Sequence, residues 1–128
     1  MEMGRGNEMK VFISGPMTGY PYYNFAAFDA VAQGERLAGN EVLSPAGMDR
    51  EAGFNPFDYP EYAMGRNCTA SPIGFDKRAA IDRDIEAVKM CDRIVMLKGW
   101  RKSVGARAEY ALAAWMGKEV VDVYGDAI

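Results

Sequence analysis

Glu109 is the residue whose setting most invites chemistry. On a helix turning about 100° per residue, Gly105, Ala106, Leu112, Ala113 and Met116 all fall within about 60° of it. Arg107 and Lys118 point nearly the opposite way. An acid centred on a small, apolar face needs a partner, a raised pKa or a ligand, because burying an unpaired carboxylate costs several kcal/mol. A Glu at the rim of the core, reaching water or a neighbouring subunit, is the bland reading. The small neighbours favour the other one, since they leave a hollow beside the carboxylate that a ligand can fill.

Asp84 repeats the pattern more weakly. Ile81, Ile85 and Val88 form an apolar stripe, Asp84 lies about 60° from its centre, and Asp82 points well away. Asp84 is either a second acid at the same cleft or an acidic residue stabilising the first turns of its helix through the macrodipole. Two carboxylates from neighbouring helices would form the pair that glycoside chemistry uses: one attacks the anomeric carbon, and one manages the leaving group's proton. The chain has no histidine. Ser-His-Asp triads, Cys-His pairs and imidazole-bound zinc are therefore excluded, leaving carboxylates, Tyr, Lys, Cys and Ser as reactive groups.

Other candidates are binding groups. The turn Ser14, Gly15, Pro16, Met17, Thr18, Gly19 brings backbone N–H groups and two hydroxyls within reach of a ligand, although it is neither a Walker A nor a GxGxxG sequence. A plain strand-to-helix turn would look the same. Ser103 stands at the N-cap of the helix carrying Glu109, where backbone donors and the positive dipole end attract anions, or it is a cap and nothing more. Tyr20, Tyr22, Tyr23 and Phe25 could stack on a base or pack under a loop.

The elements that must position these residues alternate. Residues 10–14 (KVFIS) read as a buried strand and 24–38 as a helix capped by Asn24 and closed by Gly39-Asn40. A second strand follows at 41–44, then a stretch at 45–76 rich in Pro, Gly, Asn and aromatics, expected to be a long active-site loop or lid. A helix over 77–90, a strand over 93–97, a helix over 103–116 and a strand over 119–124 complete the chain. Such alternation predicts an α/β fold of Rossmann-like or flavodoxin-like type, three-layered, with a small, mainly parallel sheet of 4–5 strands and helices on both faces. Ligands in such sheets bind beyond the carboxyl ends of the strands, where Gly15, Ser103 and the long loop emerge.

The totals bound the partners. The 128 residues, 49% of them hydrophobic, suit one domain with one core. Residues 1–9 read as a flexible tail. Fifteen Lys and Arg against 18 Asp and Glu give a net charge of -3 without long charged runs, which argues against a nucleic-acid polymer or membrane partner. Cys68 and Cys91 lie beside no second ligand, so no metal or other cofactor is expected and a reduced, cytoplasmic setting fits. No membrane span or signal peptide is expected.

The segments VFISGPMTG, RDIEAVKMCDRIVML and GWRKSVGARAEYALAAWMGKEVV resemble the nucleoside 2-deoxyribosyltransferase superfamily. They resemble in particular its short, often phage- or prophage-borne branch of DUF4406 type, and they span the elements over nearly the whole chain except the insert after Ser44. The resemblance implies that Glu109 is a nucleophile forming a covalent deoxyribosyl-enzyme intermediate and that Asp84 sits near the sugar and leaving base. It also implies that Ser103 matches a serine holding the phosphate in the branch that hydrolyses 2'-deoxynucleoside 5'-monophosphates. Gly15 and Thr18 match loop positions lining the site, with Thr18 standing where that branch has an arginine. Pro16, Met17, Gly19, Tyr20 and Gly105 complete the expected binding set.

The resulting expectation is an N-glycosidase acting on a (2'-deoxy)nucleoside or its 5'-monophosphate. Tyr20 or another loop hydroxyl would keep Glu109 ionised. The alternatives are 2-deoxyribosyl transfer between bases and a non-catalytic module that sequesters a nucleotide. The family's habit of borrowing residues between subunits implies a homodimer or larger homo-oligomer.

Overall fold

In the computed structural model, residues 8–72 and 74–128 are described; residues 1–7 of the expected tail lie outside them. Four strands, β1 (Lys10–Ser14), β2 (Glu41–Leu43), β3 (Arg93–Met96) and β4 (Glu119–Asp122), pair in the order β2-β1-β3-β4. Every ladder between them is parallel, with Phe12 opposite Leu43 on one side and Ile94 on the other. The α/β, Rossmann-like expectation is met with four strands.

Val11, Phe12 and Ile13 are fully buried because β1 is covered on both faces, as a central parallel strand must be. Phe12, Ile94 and Met96 pack against Ala87 and Val88 of one helix, α3 (Lys77–Met90), and against Ala106 and Ala113 of another, α4 (Val104–Trp115). Ile13 and Leu97 face the other way, onto Phe25, Phe28 and Ala32 of helix α1 (Phe25–Leu37). Alternate residues of one strand thus serve the two helical layers. Gly39, at φ +93°, ends α1 in the left-handed conformation.

Two local expectations are corrected. The stretch 45–76, expected to be a long active-site loop or lid, carries structure of its own: among its described residues it opens with helix α2 (Pro45–Glu51) and continues through three short 3-10 turns. Pro45 at the first helical position explains the start, since its fixed φ suits a helix and its missing N–H is not needed there. Below the turns Tyr23, Phe54 and Tyr62 pack edge to face, with Tyr23 centred 5.6 Å from Phe54 and 5.2 Å from Tyr62. Asn24, in turn, precedes α1 but does not cap it. Its φ of 63° is left-handed, and its side-chain amide donates instead to the Pro16 carbonyl at 2.9 Å.

Tyr22 and Tyr23 share that left-handed conformation, so three consecutive non-glycine residues stand at positive φ between β1 and α1. The Tyr23 hydroxyl holds the segment by donating to the Thr69 carbonyl at 2.9 Å. Among the described residues, no helix is long and apolar enough to cross a membrane.

Candidate active site

β1 ends in Ser14, and α4 packs against β1, β3 and β4. The Ser14 hydroxyl donates to Glu109 Oε1 at 2.5 Å. Ser14 is fully buried, so this hydroxyl serves the carboxylate and not the solvent. Of the hydroxyls expected to hold Glu109, Tyr20 or another of the first turn, it is Ser14 that does so; the Tyr20 hydroxyl sits against Gly99, where an added Cβ would lie 2.6 Å from it.

Asp84 lies on the buried side of α3, in line with Ala80, Ala87 and Val88. Ile81 and Ile85, the expected core stripe, are instead 46% and 42% exposed and flank the cleft. The α3·α4 contact brings the Asp84 and Glu109 carboxyls into hydrogen-bonding reach. Burial raises both pKa values. Asp84 is pushed further by the negative charges of Glu109 and Asp49, whereas hydrogen bonds from Ser14 and Asp84 pull Glu109 back down. The pair therefore keeps a proton to higher pH than an isolated carboxyl would, and the Ser14 donor favours Glu109 as the carboxylate and Asp84 as the acid.

The two carboxyls line a cleft of about 860 Å³. Gly15, Pro16, Met17, Thr18 and Tyr20 line it from the first turn, and Ser103 and Gly105 from the start of α4. Ser103 caps α4, accepting from the Ala106 N–H at 3.1 Å. Gly15 is needed for packing as much as for access, because a Cβ there would stand 2.6 Å from Leu97 Cβ.

Ser14, fully buried, and Gly19 do not line the cleft. Gly19 turns a corner at φ +85°, donates its N–H to the Cys68 carbonyl at 2.8 Å and presents its own carbonyl to Gly65. Of the aromatic set, Tyr20, Tyr23 and Phe25 reach the cleft, while Tyr22 packs on Phe57 with ring centroids 4.9 Å apart.

Sequence reasoning missed Asp49, a buried acid on α2 that also lines the cleft. Its Oδ1 accepts from Arg83 Nη2 at 3.2 Å. Burial pushes its pKa up to about 6 against the pull of Arg83 and Arg50. The Ser44-Pro45 start signal was the available clue, since a helix from Pro45 turns Asp49 inward beside Ala46. Phe54, Phe75, Lys77 and Lys102 complete the walls. Cys68 and Cys91 are buried free thiols, and among the described residues no three His, Cys, Asp or Glu are grouped to hold a metal ion.

The arrangement offers a carboxylate oriented by a hydroxyl, a protonated carboxyl beside it, and a cleft sized for a small organic ligand. No curated protein matches the chain. A family model described as a domain of unknown function, DUF4406, matches residues 9–122, which take in all four strands and both carboxylates. The chain belongs to the DUF4406 family.

Proposed function

We propose that this protein cleaves the N-glycosidic bond of a (2'-deoxy)nucleoside or its 5'-monophosphate through a covalent glycosyl ester on Glu109. The observation that carries the reading is the Glu109–Asp84 pair lining the cleft, with the buried Ser14 hydroxyl donating to Glu109. It pairs an ionised nucleophile with a protonated acid, the two states that retaining glycoside chemistry needs. The resemblance to nucleoside 2-deoxyribosyltransferases supports the same roles.

In the first step Glu109 bonds to the anomeric carbon as the carbon–nitrogen bond breaks, and the Asp84 proton goes to the leaving nitrogen. In the second, Asp84 takes a proton from water as the water oxygen attacks the same carbon and the Glu109 ester bond breaks. Ser14 holds Oε1 throughout, and the Asp84 hydrogen bond to Glu109 is given up as its proton moves to the leaving nitrogen. Ser103 and Gly105, at the start of α4, and the turn 15–18 would hold the sugar and any 5'-phosphate.

Deoxynucleosides and their monophosphates, with and without a free acceptor base, test this by chromatography of released base. Release that disappears in Glu109→Gln supports the reading. Release that depends on the acceptor indicates transfer between bases, and tight binding without release indicates sequestration.

The working form is proposed to be a homo-oligomer. Val104, Ala108, Ala111 and Trp115 recur on one side of α4 and are all exposed, Val104 by 75% and Trp115 by 86%. A second copy would cover this apolar stripe beside the cleft mouth. The proposed setting is the cytoplasm, with small molecules as ligands.

A further inference from the structure

Asp49 is an acid of the cleft that the mechanism above leaves unused. Only Arg83 donates to its side chain among the described residues, and it does so to Oδ1, leaving the second oxygen without a donor. Arg83 reaches Asp49 from outside the cleft. It lines a separate cavity of about 240 Å³, divided from the main one by Phe54 and Phe75, whose ring centroids stand 5.1 Å apart. The main cleft is therefore offered a hydrogen-bond acceptor at this point, and the guanidinium stays behind it.

Asp49, Asp84 and Glu109 come from α2, α3 and α4 in turn. Helix α3 packs against both α2 and α4, and Arg83, the neighbour of Asp84 on α3, donates to Asp49, so Asp84 stands between Asp49 and Glu109. Asp84 delivers its proton to the leaving nitrogen, which places the base on Asp84's side of the anomeric carbon, toward Asp49. The start of α4 also lines the cleft, with Lys102 and Ser103. Tyr23, Phe28 and Phe54, clustered with Ala46 of the helix that carries Asp49, line it too and suit a flat ring.

We infer that Asp49 selects the leaving base by accepting a hydrogen bond from the exocyclic amino group that adenine carries at C6 and cytosine at C4, so that adenine and cytosine derivatives are taken in preference to those of guanine, thymine and uracil. The direction of the base rests on the N-glycosidase reading. An amino group offers N–H donors to a carboxylate whose only free function is to accept. The carbonyl of guanine, thymine or uracil at the same place would set lone pairs against the carboxylate and leave both groups unpaired in a buried site.

The test is calorimetric titration of Glu109→Gln, which separates binding from turnover, with deoxyadenosine, deoxycytidine, deoxyguanosine, thymidine and deoxyuridine. Deoxyadenosine and deoxycytidine are expected to bind about tenfold tighter or more than the other three. Adding Asp49→Asn, whose amide can both donate and accept, should erase that preference. Equal affinities, no binding by any of the five, or a preference that survives Asp49→Asn overturns the inference. If the double variant fails to give a cooperative melt, the panel with Glu109→Gln alone decides. Selective binding with no base release by the unaltered protein sinks the glycosidase reading and keeps the selectivity, whereas release without selectivity sinks only the selectivity.

Discussion

Ser14 and Glu109, 95 positions apart, meet through a 2.5 Å hydrogen bond that joins the end of β1 to the second turn of α4. The bond favours the ionised form of a carboxylate that burial otherwise pushes toward protonation. Ser14→Ala should raise the Glu109 pKa. The acid limb of the rate profile would then move to higher pH, and activity near pH 6 would fall by about 10- to 100-fold, the worth of one hydrogen bond to a charged group. A pH–rate profile with unmoved limbs would show that Ser14 does not tune the nucleophile.

Glu109→Gln should fold, because the amide keeps the shape and can still bond to Ser14 and Asp84. Turnover should drop on the order of 10³-fold or more, since an amide cannot form the glycosyl ester. Mass spectrometry of the unaltered protein mixed with a slow substrate should show the added sugar, and the variant should not.

The rate should follow a bell in pH. Glu109 must lose its proton to attack and Asp84 must keep its own to assist departure, and both pKa values are raised. Asp84→Asn should abolish the alkaline limb and lower kcat for poor leaving bases far more than for activated ones. Substrates bearing a nitrophenyl leaving group would reveal the difference.

Stability should respond with the opposite sign to that of most acids. A carboxyl whose pKa is raised by folding binds its proton more tightly in the native state, so the native state loses stability as pH climbs from the unfolded pKa through the folded one. Asp84, Glu109 and Asp49 all shift this way. Asp84→Asn is therefore expected to melt a few degrees higher than the unaltered protein at pH 8, with the gap closing toward pH 4. A constant gap across that range would count against the raised pKa.

Gly15→Ala should destabilise the fold by about 1–3 kcal/mol, the usual cost of overpacking, because its methyl would collide with the Leu97 side chain. Urea denaturation measures the loss.

Much of this molecule is legible from periodicity. The bounds of β1 and α3 coincide with those expected, because a continuous apolar run and a polar helix opening after Asp76 each have only one plausible structure. The Glu109 face of α4 was readable for the same reason: Ala106 and Ala113 bury as their spacing requires. The errors lie where tertiary packing overrules local signals. Ile81 and Ile85 look like core, yet Ala80 and Ala87 let α3 lie close to the sheet and turn the larger residues out to the cleft rim. Asn24 looks like a cap, yet the Pro16 carbonyl claims its amide. Asp49 stayed hidden because seven residues of helix within a stretch rich in Pro and Gly give too little periodicity to register.

The left-handed run at Tyr22, Tyr23 and Asn24 has a thermal consequence. Each such residue costs about 1 kcal/mol or more and persists only while its surroundings enforce it. The enforcement comes from Pro16 on one side and Thr69 on the other. Loss of either anchor frees the run to relax to right-handed geometry, and the aromatic cluster under residues 54–75 then loses Tyr23. The first turn and the cleft's outer wall should accordingly open as a single cooperative unit, with amides from Tyr22 to Asn24 and around Cys68 exchanging deuterium together and sooner than those of β1.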